Sequence, residues 1–166
     1  MSATHVSTES KQDYATPPEL VALIEKQFGV EFLLDLAAGS ENTKAPNFLS
    51  VFEDSLSLNW KASLEECDND DIFPNRAAWL NPPFKRAEPW MAKCAEESAK
   101  GIKIVSLTLS SLGSNWYRDN VEGKALSFVL RDRVTFVGCD QPYTKELMVS
   151  LWGSGMSGLS FWSWKK

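Results

Sequence analysis

The chain has 166 residues, enough for one domain with a sizeable core, and its 43% hydrophobic and 23% charged residues are typical of a globular protein. A net charge of −5 mildly disfavours a nucleic-acid partner, because phosphate binding draws on lysine and arginine. Three widely spaced cysteines and a single histidine, His5, argue against a disulfide framework, a metal site and histidine-based catalysis.

The first residues of the chain are polar. Residues 1–13 lack the basic-then-apolar pattern of a secretory signal, and no apolar run is long enough to cross a bilayer. We therefore predict a flexible tail at 1–13, a single domain at 14–166, a cytoplasmic location and no membrane partner. The oligomeric state does not follow from the sequence.

Helices and strands alternate over most of the chain. The segment Thr16-Pro17-Pro18-Glu19 is typical of a helix start, and the helical spacing that follows ends at Gly29. Further helices are predicted at 89–100 and 114–122, with a short one beginning at 41–44. Compact apolar runs predict strands at 32–36, 47–50, 77–80, 102–109 and 125–130.

Towards the C-terminus the predicted elements are strands only, at 134–137, 147–152 and 158–164. The acidic cluster at 65–71 predicts a solvated loop. Alternation followed by clustered strands predicts an α/β fold: a mostly parallel, doubly wound sheet with an antiparallel C-terminal edge. Such sheets bind ligands beyond the carboxyl ends of their strands, where the turns after the first and third strands would lie.

The tetrapeptide Asn81-Pro82-Pro83-Phe84 carries the strongest chemical signal. Two successive prolines cannot continue a sheet, because both lack an N–H and have a fixed φ. The resulting stiff turn presents the Asn81 amide, the Pro82 carbonyl and the Phe84 ring. Two oxygen acceptors beside an aromatic ring suit a planar group that carries an exocyclic amine. An ordinary Asn-Pro turn with a packed aromatic is the alternative.

Three segments, in order along the chain, together resemble a known family. They are Asp13-Tyr14-x-Thr16-Pro17, then Leu34-Asp35-Leu36-Ala37-Ala38 with Asn42-x-Lys44, then Asn81–Phe84 with Pro89-Trp90. The chain looks like the phage-type DNA N6-adenine methyltransferases, the Dam-like family. The resemblance implies a Rossmann-like fold, S-adenosylmethionine (SAM) as cofactor, and a site-specific DNA-methyltransferase that acts on adenine N6. Its partner would be DNA, in the host cytoplasm if a phage encodes it.

The resemblance also assigns roles to residues. Catalysis would fall to Asn81, Pro82, Pro83 and Phe84. The SAM site would consist of Thr16, Pro17, Asp35, Ala37, Ala38, Gly39, Ser40 and Asp54, with Asp54 near the adenosine. DNA contacts would come from Lys85, Arg86, Ser110, Ser111, Asn115 and Trp116, and no metal is expected.

Two features depart from the usual pattern. Many SAM enzymes have a second glycine in the turn after the first strand, whereas Gly39-Ser40-Glu41 supplies one. Phe84 stands where tyrosine is usual, and stacking survives because it needs only the ring. Adenine N6 is paired inside a duplex, so the chemistry implies base flipping or a single-stranded substrate. Because no long insertion follows Phe84, we predict short or relaxed sequence specificity.

Three other functions remain open from the sequence. A protein-glutamine methyltransferase could grip an amide NH2 in the same way, and a cytosine-N4 methyltransferase is chemically close. An inactive decoy that binds DNA or a protein would suit the net negative charge. Five cations lie near the predicted active face, either as a basic patch or as scattered solubilising charges: Lys85, Arg86, Arg118, Arg131 and Arg133.

Overall fold

A computed structural model describes residues 15–50, 53–68 and 74–166. Within these ranges the chain forms four α-helices and seven β-strands. The helices are α1 Pro18–Phe28, α2 Trp60–Cys67, α3 Ala87–Ser98 and α4 Asn115–Asn120. The strands are β1 Glu31–Asp35, β2 Asn47–Phe48, β3 Arg76–Leu80, β4 Ile104–Leu109, β5 Ala125–Leu130, β6 Leu147–Trp152 and β7 Gly158–Trp162. Short 3₁₀ turns occur at Ser55–Ser57 and Phe84–Arg86.

All seven strands join one sheet in the order β2-β1-β3-β4-β6-β5-β7. Strand β6 runs antiparallel to its neighbours β4 and β5, and the other pairings are parallel. Six strands therefore end at the same edge of the sheet, which we call the carboxyl edge. The predicted Rossmann-like, mostly parallel fold class is confirmed. The reversed strand, expected at the C-terminal edge, instead lies inside the sheet, and the edge strand β7 pairs parallel with β5.

The remaining predicted elements are present with shifted ends, apart from two that are wrong. Residues 134–137 form a loop rather than a strand, because the Val137 N–H donates to the Ala15 carbonyl instead of to a neighbouring strand. Residues 41–44 form a turn rather than the start of a helix, since the Gly39 carbonyl accepts two of the following N–H groups. Both segments contain buried or turn-forming residues, and local pattern alone does not separate these from regular elements.

The sequence did not predict α2, whose last turn belongs to the acidic cluster. Asn59 caps the helix, with its Oδ1 accepting a backbone N–H of the first turn over 3.0 Å. Residues 65–67, predicted as loop, are helical. Asp68 is buried and pairs with Arg76 over 2.7 Å, which ties the end of α2 to the start of β3. Residues 69–71 of the cluster lie outside the described residues.

A buried carboxylate holds α2 against α3. Glu97 is 0% exposed, and it contacts the Lys93 and Lys100 ammonium groups at 3.0 and 2.9 Å and accepts a backbone N–H at the start of α2. Burial alone would raise the pKa of this carboxyl, but the hydrogen bonds from Lys100 and Lys93 hold it below its usual value. The anchor keeps Trp60 stacked on Trp90, with ring centres 6.3 Å apart.

Strand β3 is buried on both faces of the sheet. Ala77 and Trp79 pack in the cluster that contains α1, whereas Ala78 and Leu80 pack in the cluster that contains α2 and α3. This two-sided burial explains the continuous apolar run of the strand. It also fixes where the chain leaves the sheet at Asn81.

Replacing Gly153 tests how tightly the sheet is closed at the end of β6. Gly153 has φ +86, and a Cβ there would overlap the backbone carbonyl of Ile102. Gly155, with φ +79, has open space around it. We expect Gly155→Ala to cost about 1 kcal/mol through its backbone conformation alone, and Gly153→Ala to cost about 3 kcal/mol through conformation and overlap together. Chemical denaturation of both variants measures the difference; equal costs would contradict this packing.

Candidate functional site

A cavity of about 1040 Å³ opens at the carboxyl edge, where the turns after β1 and β3 meet. The Leu36 N–H donates to the Trp79 carbonyl over 2.9 Å, so the two strands stay paired to the point where both leave the sheet. Nine predicted site residues line this cavity: Thr16, Asp35, Ala37, Ala38, Gly39, Ser40, Asp54, Asn81 and Pro83. The predicted cofactor turn and the predicted catalytic turn therefore face one space.

The side chain of Asp35 closes the turn after β1. Its Oδ1 accepts the Ala37 N–H over 3.2 Å, and its Oδ2 accepts the Lys44 N–H over 2.9 Å. The residue is 2% exposed, and burial raises the pKa of its carboxyl to about 6, although the two backbone hydrogen bonds act in the opposite direction. Asp35 thus supports the turn and also supplies a carboxylate that titrates close to neutral pH.

The turn after β1 is closed by Asn42 rather than by a second glycine. The Asn42 Oδ1 accepts the Gly39 N–H over 2.7 Å, and the Gly39 carbonyl accepts the N–H groups of Asn42 and Thr43. A Cβ at Gly39 would lie 3.7 Å from the Asn42 Oδ1, which is an ordinary contact. The turn itself therefore does not need glycine, and the missing side chain leaves backbone open to the cavity.

Asn81 is oriented by Thr16. Its Nδ2 donates to the Thr16 Oγ1 over 3.2 Å, and Thr16 is 1% exposed, so the threonine is a fixed partner. Because the NH2 branch of the amide is directed at Thr16, the Oδ1 branch points away from it. Sequence analysis assigned Thr16 to the cofactor; its hydrogen bond connects it to the predicted catalytic motif.

Three of the residues predicted for catalysis or SAM binding are absent from the cavity lining among the described residues. Pro17 is buried, and its carbonyl accepts the first N–H groups of α1. Pro82 is also buried. Phe84 is half-buried, and its ring packs against Phe136 and Tyr143 at centre distances of 6.4 and 5.7 Å.

The loop that contacts Phe84 was missed by sequence reasoning. Phe136 and Tyr143 also pack edge to face with each other, with ring centres 5.6 Å apart. The Tyr143 N–H donates to the Val134 carbonyl over 2.7 Å, which closes the loop on itself. The apolar spacing at 134–137 was interpreted as a strand, and that interpretation hid the support of the Phe84 ring.

The cavity also has an apolar side to which the sequence analysis gave no role. It includes Phe48, Leu49, Leu56 and Trp90. Phe48 ends β2, and Leu49 follows it at the carboxyl edge. Position at a strand end is therefore the signal that could have found Phe48 and Leu49, whereas Leu56 lies in a 3₁₀ turn and Trp90 in α3.

The six predicted DNA-contact residues lie at the carboxyl edge in two groups. Lys85 and Arg86 are exposed in the 3₁₀ turn after the diproline. The other four follow β4: Ser110, Ser111, Asn115 and Trp116. Ser110 donates its hydroxyl to the Glu146 carbonyl over 3.2 Å, and Trp116 is half-buried against Tyr117. In the part of the chain that the structure describes, we find no group of side chains that could hold a metal ion and no helix suited to crossing a membrane.

A family model described as DNA N-6-adenine-methyltransferase (Dam) matches residues 3–148. The chain belongs to this family. Membership confirms the resemblance and the predicted enzyme class, a DNA methyltransferase specific for adenine N6.

Two curated relatives carry the family name. The DNA N-6-adenine-methyltransferase of Haemophilus phage HP1 is 25% identical over 139 residues, which cover 82% of this chain and 73% of the relative. That of Escherichia phage T1 is 26% identical over 106 residues, which cover 64% of this chain and 39% of the relative. Among solved structures, a predicted O-methyltransferase from Agrobacterium tumefaciens is 15% identical with a TM-score of 0.45, over 87% of this chain and 84% of that chain. A likeness of that size adds nothing to the family assignment.

Because the pKa of Asp35 is raised, its contribution to the stability of the folded chain should increase as pH falls, whereas that of most carboxyls decreases. Its pKa is about 6 in the folded chain and 3.8 in the unfolded reference, so the folded state binds the extra proton between these values. Relative to Asp35→Asn, the wild type should gain about 2 kcal/mol of stability when pH falls from 7 to 4. Urea unfolding of both proteins across that range measures the gain. A relative loss on acidification would show that Asp35 is stabilised as the carboxylate.

Proposed function

We propose that the chain transfers a methyl group from SAM to the N6 amine of adenine in DNA, with the base turned out of the stack. The observation that carries the proposal is the joint lining of one cavity by the turn after β1 and by Asn81. Methyl transfer requires the donor carbon and the acceptor nitrogen to approach within about 3–3.5 Å in line. Two binding turns that open into one space meet this requirement.

The chemistry of the cavity suits SAM. Three carboxylate residues, Asp35, Glu41 and Asp54, line it, and SAM carries an ammonium and a sulfonium charge. Leu56 and Trp90 provide an apolar side that suits the adenine ring of the cofactor. We assign the methionine end to Asp35 and the turn after β1, and the adenosine end to the side with Asp54. When bound, SAM supplies an electrophilic methyl group on sulfur.

Asn81 would make the amine reactive. Adenine N6 is a weak nucleophile, because its lone pair is delocalised into the ring. The Asn81 Oδ1 and the Pro82 carbonyl would accept hydrogen bonds from the N6 hydrogens and stabilise the positive charge that develops on nitrogen as the new C–N bond forms, while the S–CH3 bond of the donor breaks and a neutral thioether leaves. Thr16 already holds the amide at 3.2 Å, so little reorganisation is needed. The proton leaves N6 after the methyl group arrives, so no strong base is required.

Phe84 would receive the flipped base. Unstacking costs a few kcal/mol, and stacking on an aromatic ring recovers about 1–3 kcal/mol. The tilted contact with Phe136 and the edge contact with Tyr143 would fix the orientation of the Phe84 ring before the base arrives. Preorganisation of this kind reduces the entropy lost on binding.

The alternative functions are weaker, because each fails to account for one observation. Glutamine and cytosine-N4 acceptors fit the same grip, but the family match favours adenine. An inactive decoy has no need of a buried threonine that orients the Asn81 amide.

Substituting Asn81 tests the reaction directly. We expect Asn81→Ala to lower the methylation rate by about 100-fold or more, because an acceptor for the developing charge is lost. SAM affinity and thermal stability should stay close to wild type. Asn75→Ala is the matched control, since Asn75 is exposed at the opposite end of β3.

Labelled SAM, adenine-containing DNA and analysis of the methylated nucleosides provide the readout. Label in N6-methyladenine that is lost in Asn81→Ala and kept in Asn75→Ala supports the proposal. Label in another nucleoside or in protein would identify one of the alternative acceptors. SAM binding without transfer to any acceptor would favour the decoy.

The DNA sequence that the enzyme requires around the target adenine should be short or loosely defined. The candidate base-contact segment after β4 is brief, and Ser110 within it already donates its hydroxyl to the Glu146 carbonyl. Each base-specific contact is worth about 1–3 kcal/mol of discrimination, so few contacts give a short site. Methylation of a random duplex pool, followed by sequencing of the methylated fraction, measures the number of required bases. A requirement for about six or more defined bases would contradict this prediction.

A further inference from the structure

We propose that the carboxyl ends of β5 and β7 form a second DNA-contact surface, which holds the phosphate backbone several base pairs from the adenine being methylated. This surface consists of Arg131, Arg133, Phe161 and Lys165, and we call it the β5–β7 platform. The proposal rests on DNA being the substrate. It extends contact with DNA well beyond the turns after β3 and β4.

Three hydrogen bonds make the platform a defined support. The Arg131 N–H donates to the Trp162 carbonyl over 3.0 Å. The Trp164 Nε1 donates to the Asp132 carbonyl over 2.8 Å, and the Lys165 N–H donates to the Asp132 Oδ2 over 3.2 Å. Trp164 is 7% exposed, so the connection is anchored in the core. The segments after β5 and β7 are therefore held together rather than independent.

The platform displays cations that keep their charge. Arg131, Arg133 and Lys165 are exposed, and in the described ranges none of them forms an ion pair with a carboxylate. The Arg131 guanidinium lies 4.8 Å from the centre of the Phe161 ring, and that ring is 56% exposed. An aromatic ring orients a guanidinium without neutralising it. An oriented, charged guanidinium is well suited to a phosphate group.

The platform also contains one carboxylate, which keeps its negative charge. Asp132 lies between the two arginines in sequence, is half-buried, and accepts the Lys165 N–H. By contrast, several cations elsewhere are paired, such as Arg76 with Asp68 and Lys93 with Glu97. Three exposed cations beside one carboxylate leave the platform with an excess of positive charge, which fits a polyanion.

The distance from the catalytic turn matches a duplex lying across the strand ends. In the sheet β5 is three positions from β3, and β7 is four positions from it. With about 4.8 Å between neighbouring strands, the platform lies about 14 to 19 Å from the turn after β3. At about 3.4 Å per base pair, this span corresponds to roughly four to six base pairs. Both strand ends belong to the carboxyl edge, so one duplex can reach the platform and the cavity together.

A second copy of the chain is the other partner that this edge could take. β7 is an edge strand and exposes Leu159 and Phe161. Pairing of strands through their backbones makes no use of the three cations, whereas DNA binding uses all of them. The charges therefore favour DNA, and self-association is an outcome that the experiment must detect.

The first test removes the charge of the platform. The platform variant Arg131→Gln/Arg133→Gln/Lys165→Gln is compared with the control variant Lys26→Gln/Lys103→Gln/Lys124→Gln. The control residues lie at the end of α1 and directly before β4 and β5, away from the carboxyl edge, and the change in net charge is the same. Duplex binding is measured by fluorescence anisotropy between roughly 50 and 200 mM NaCl.

We expect the platform variant to lose about two to three units from the slope of log K against log salt, because each lost phosphate contact removes about 0.9. KM for DNA should rise about tenfold or more, whereas kcat at saturating DNA, SAM affinity and melting temperature should stay at their wild-type values. The control variant should shift the slope by less than one unit. Arg131→Lys/Arg133→Lys retains the charge and should keep most of the binding, which separates charge from packing.

The second test shortens the DNA. A duplex cut to about three base pairs on one side of the target adenine no longer reaches the platform. Shortening the duplex on the side that reaches the platform should lower its affinity for the wild type. The same shortening should hardly lower its affinity for the platform variant, because the substitutions have already removed that contact.

The outcomes separate the two proposals. If the wild type neither binds nor methylates DNA, the proposed function is wrong, and the platform proposal, which depends on it, is wrong as well. If the wild type methylates DNA but the platform variant matches the control in salt slope, the platform alone is overturned. A change in oligomeric state on size-exclusion chromatography, without a change in slope, also overturns it and assigns the surface to self-association.

Discussion

Two successive prolines end β3 at a fixed point, and the position of the whole site follows from that. Pro82 and Pro83 cannot donate to a neighbouring strand, so the chain must leave the sheet directly after Asn81. Strand β1 stays paired to β3 up to this level through the hydrogen bond from Leu36 to Trp79. The two turns therefore open side by side. The proposed cofactor turn and the proposed amine-binding turn open into one space because pairing stops at the same level in both strands.

The motif is supported from both sides by segments distant in sequence. The Thr16 hydroxyl accepts the Asn81 NH2, and the neighbouring Ala15 carbonyl accepts the N–H of Val137 in the loop before β6. That same loop carries the rings that pack against Phe84. The segment before α1 thus connects Asn81 to the loop that supports the Phe84 ring. A substitution in either supporting segment is therefore expected to alter the geometry of the tetrapeptide.

Local chemistry predicted the framework of the fold and part of the site, whereas long-range contacts were hidden. Proline pairs, apolar runs and the Asp35 turn depend on residues that are adjacent in sequence. For this reason α1, β3 and the cavity lining could be predicted from the sequence. The helix α2 could not, because its stability comes from Glu97 in another helix and from Asn59, which looks like any loop residue. The bracing of Phe84 depends on a loop whose apolar spacing imitates a strand. Site assignment from sequence is therefore most complete where the chain turns on itself and least complete where two distant segments meet.

The net charge of −5 mildly disfavoured DNA when the sequence alone was considered, and the distribution of charge over the fold limits that argument. Charge acts through its local distribution, since exposed charges are screened beyond about 10 Å at ordinary salt. In α2 the exposed Glu65 and Glu66 lie in the last turn, which leads to the amino end of β3, opposite the cavity. The cations of the β5–β7 platform lie at the carboxyl edge, on the same side as the cavity. A duplex at that edge would meet the positive groups, while the acids near α2 would be separated from it by the length of the strands. A net-acidic chain can therefore bind a polyanion at a surface where cations outnumber carboxylates locally, whatever its total charge.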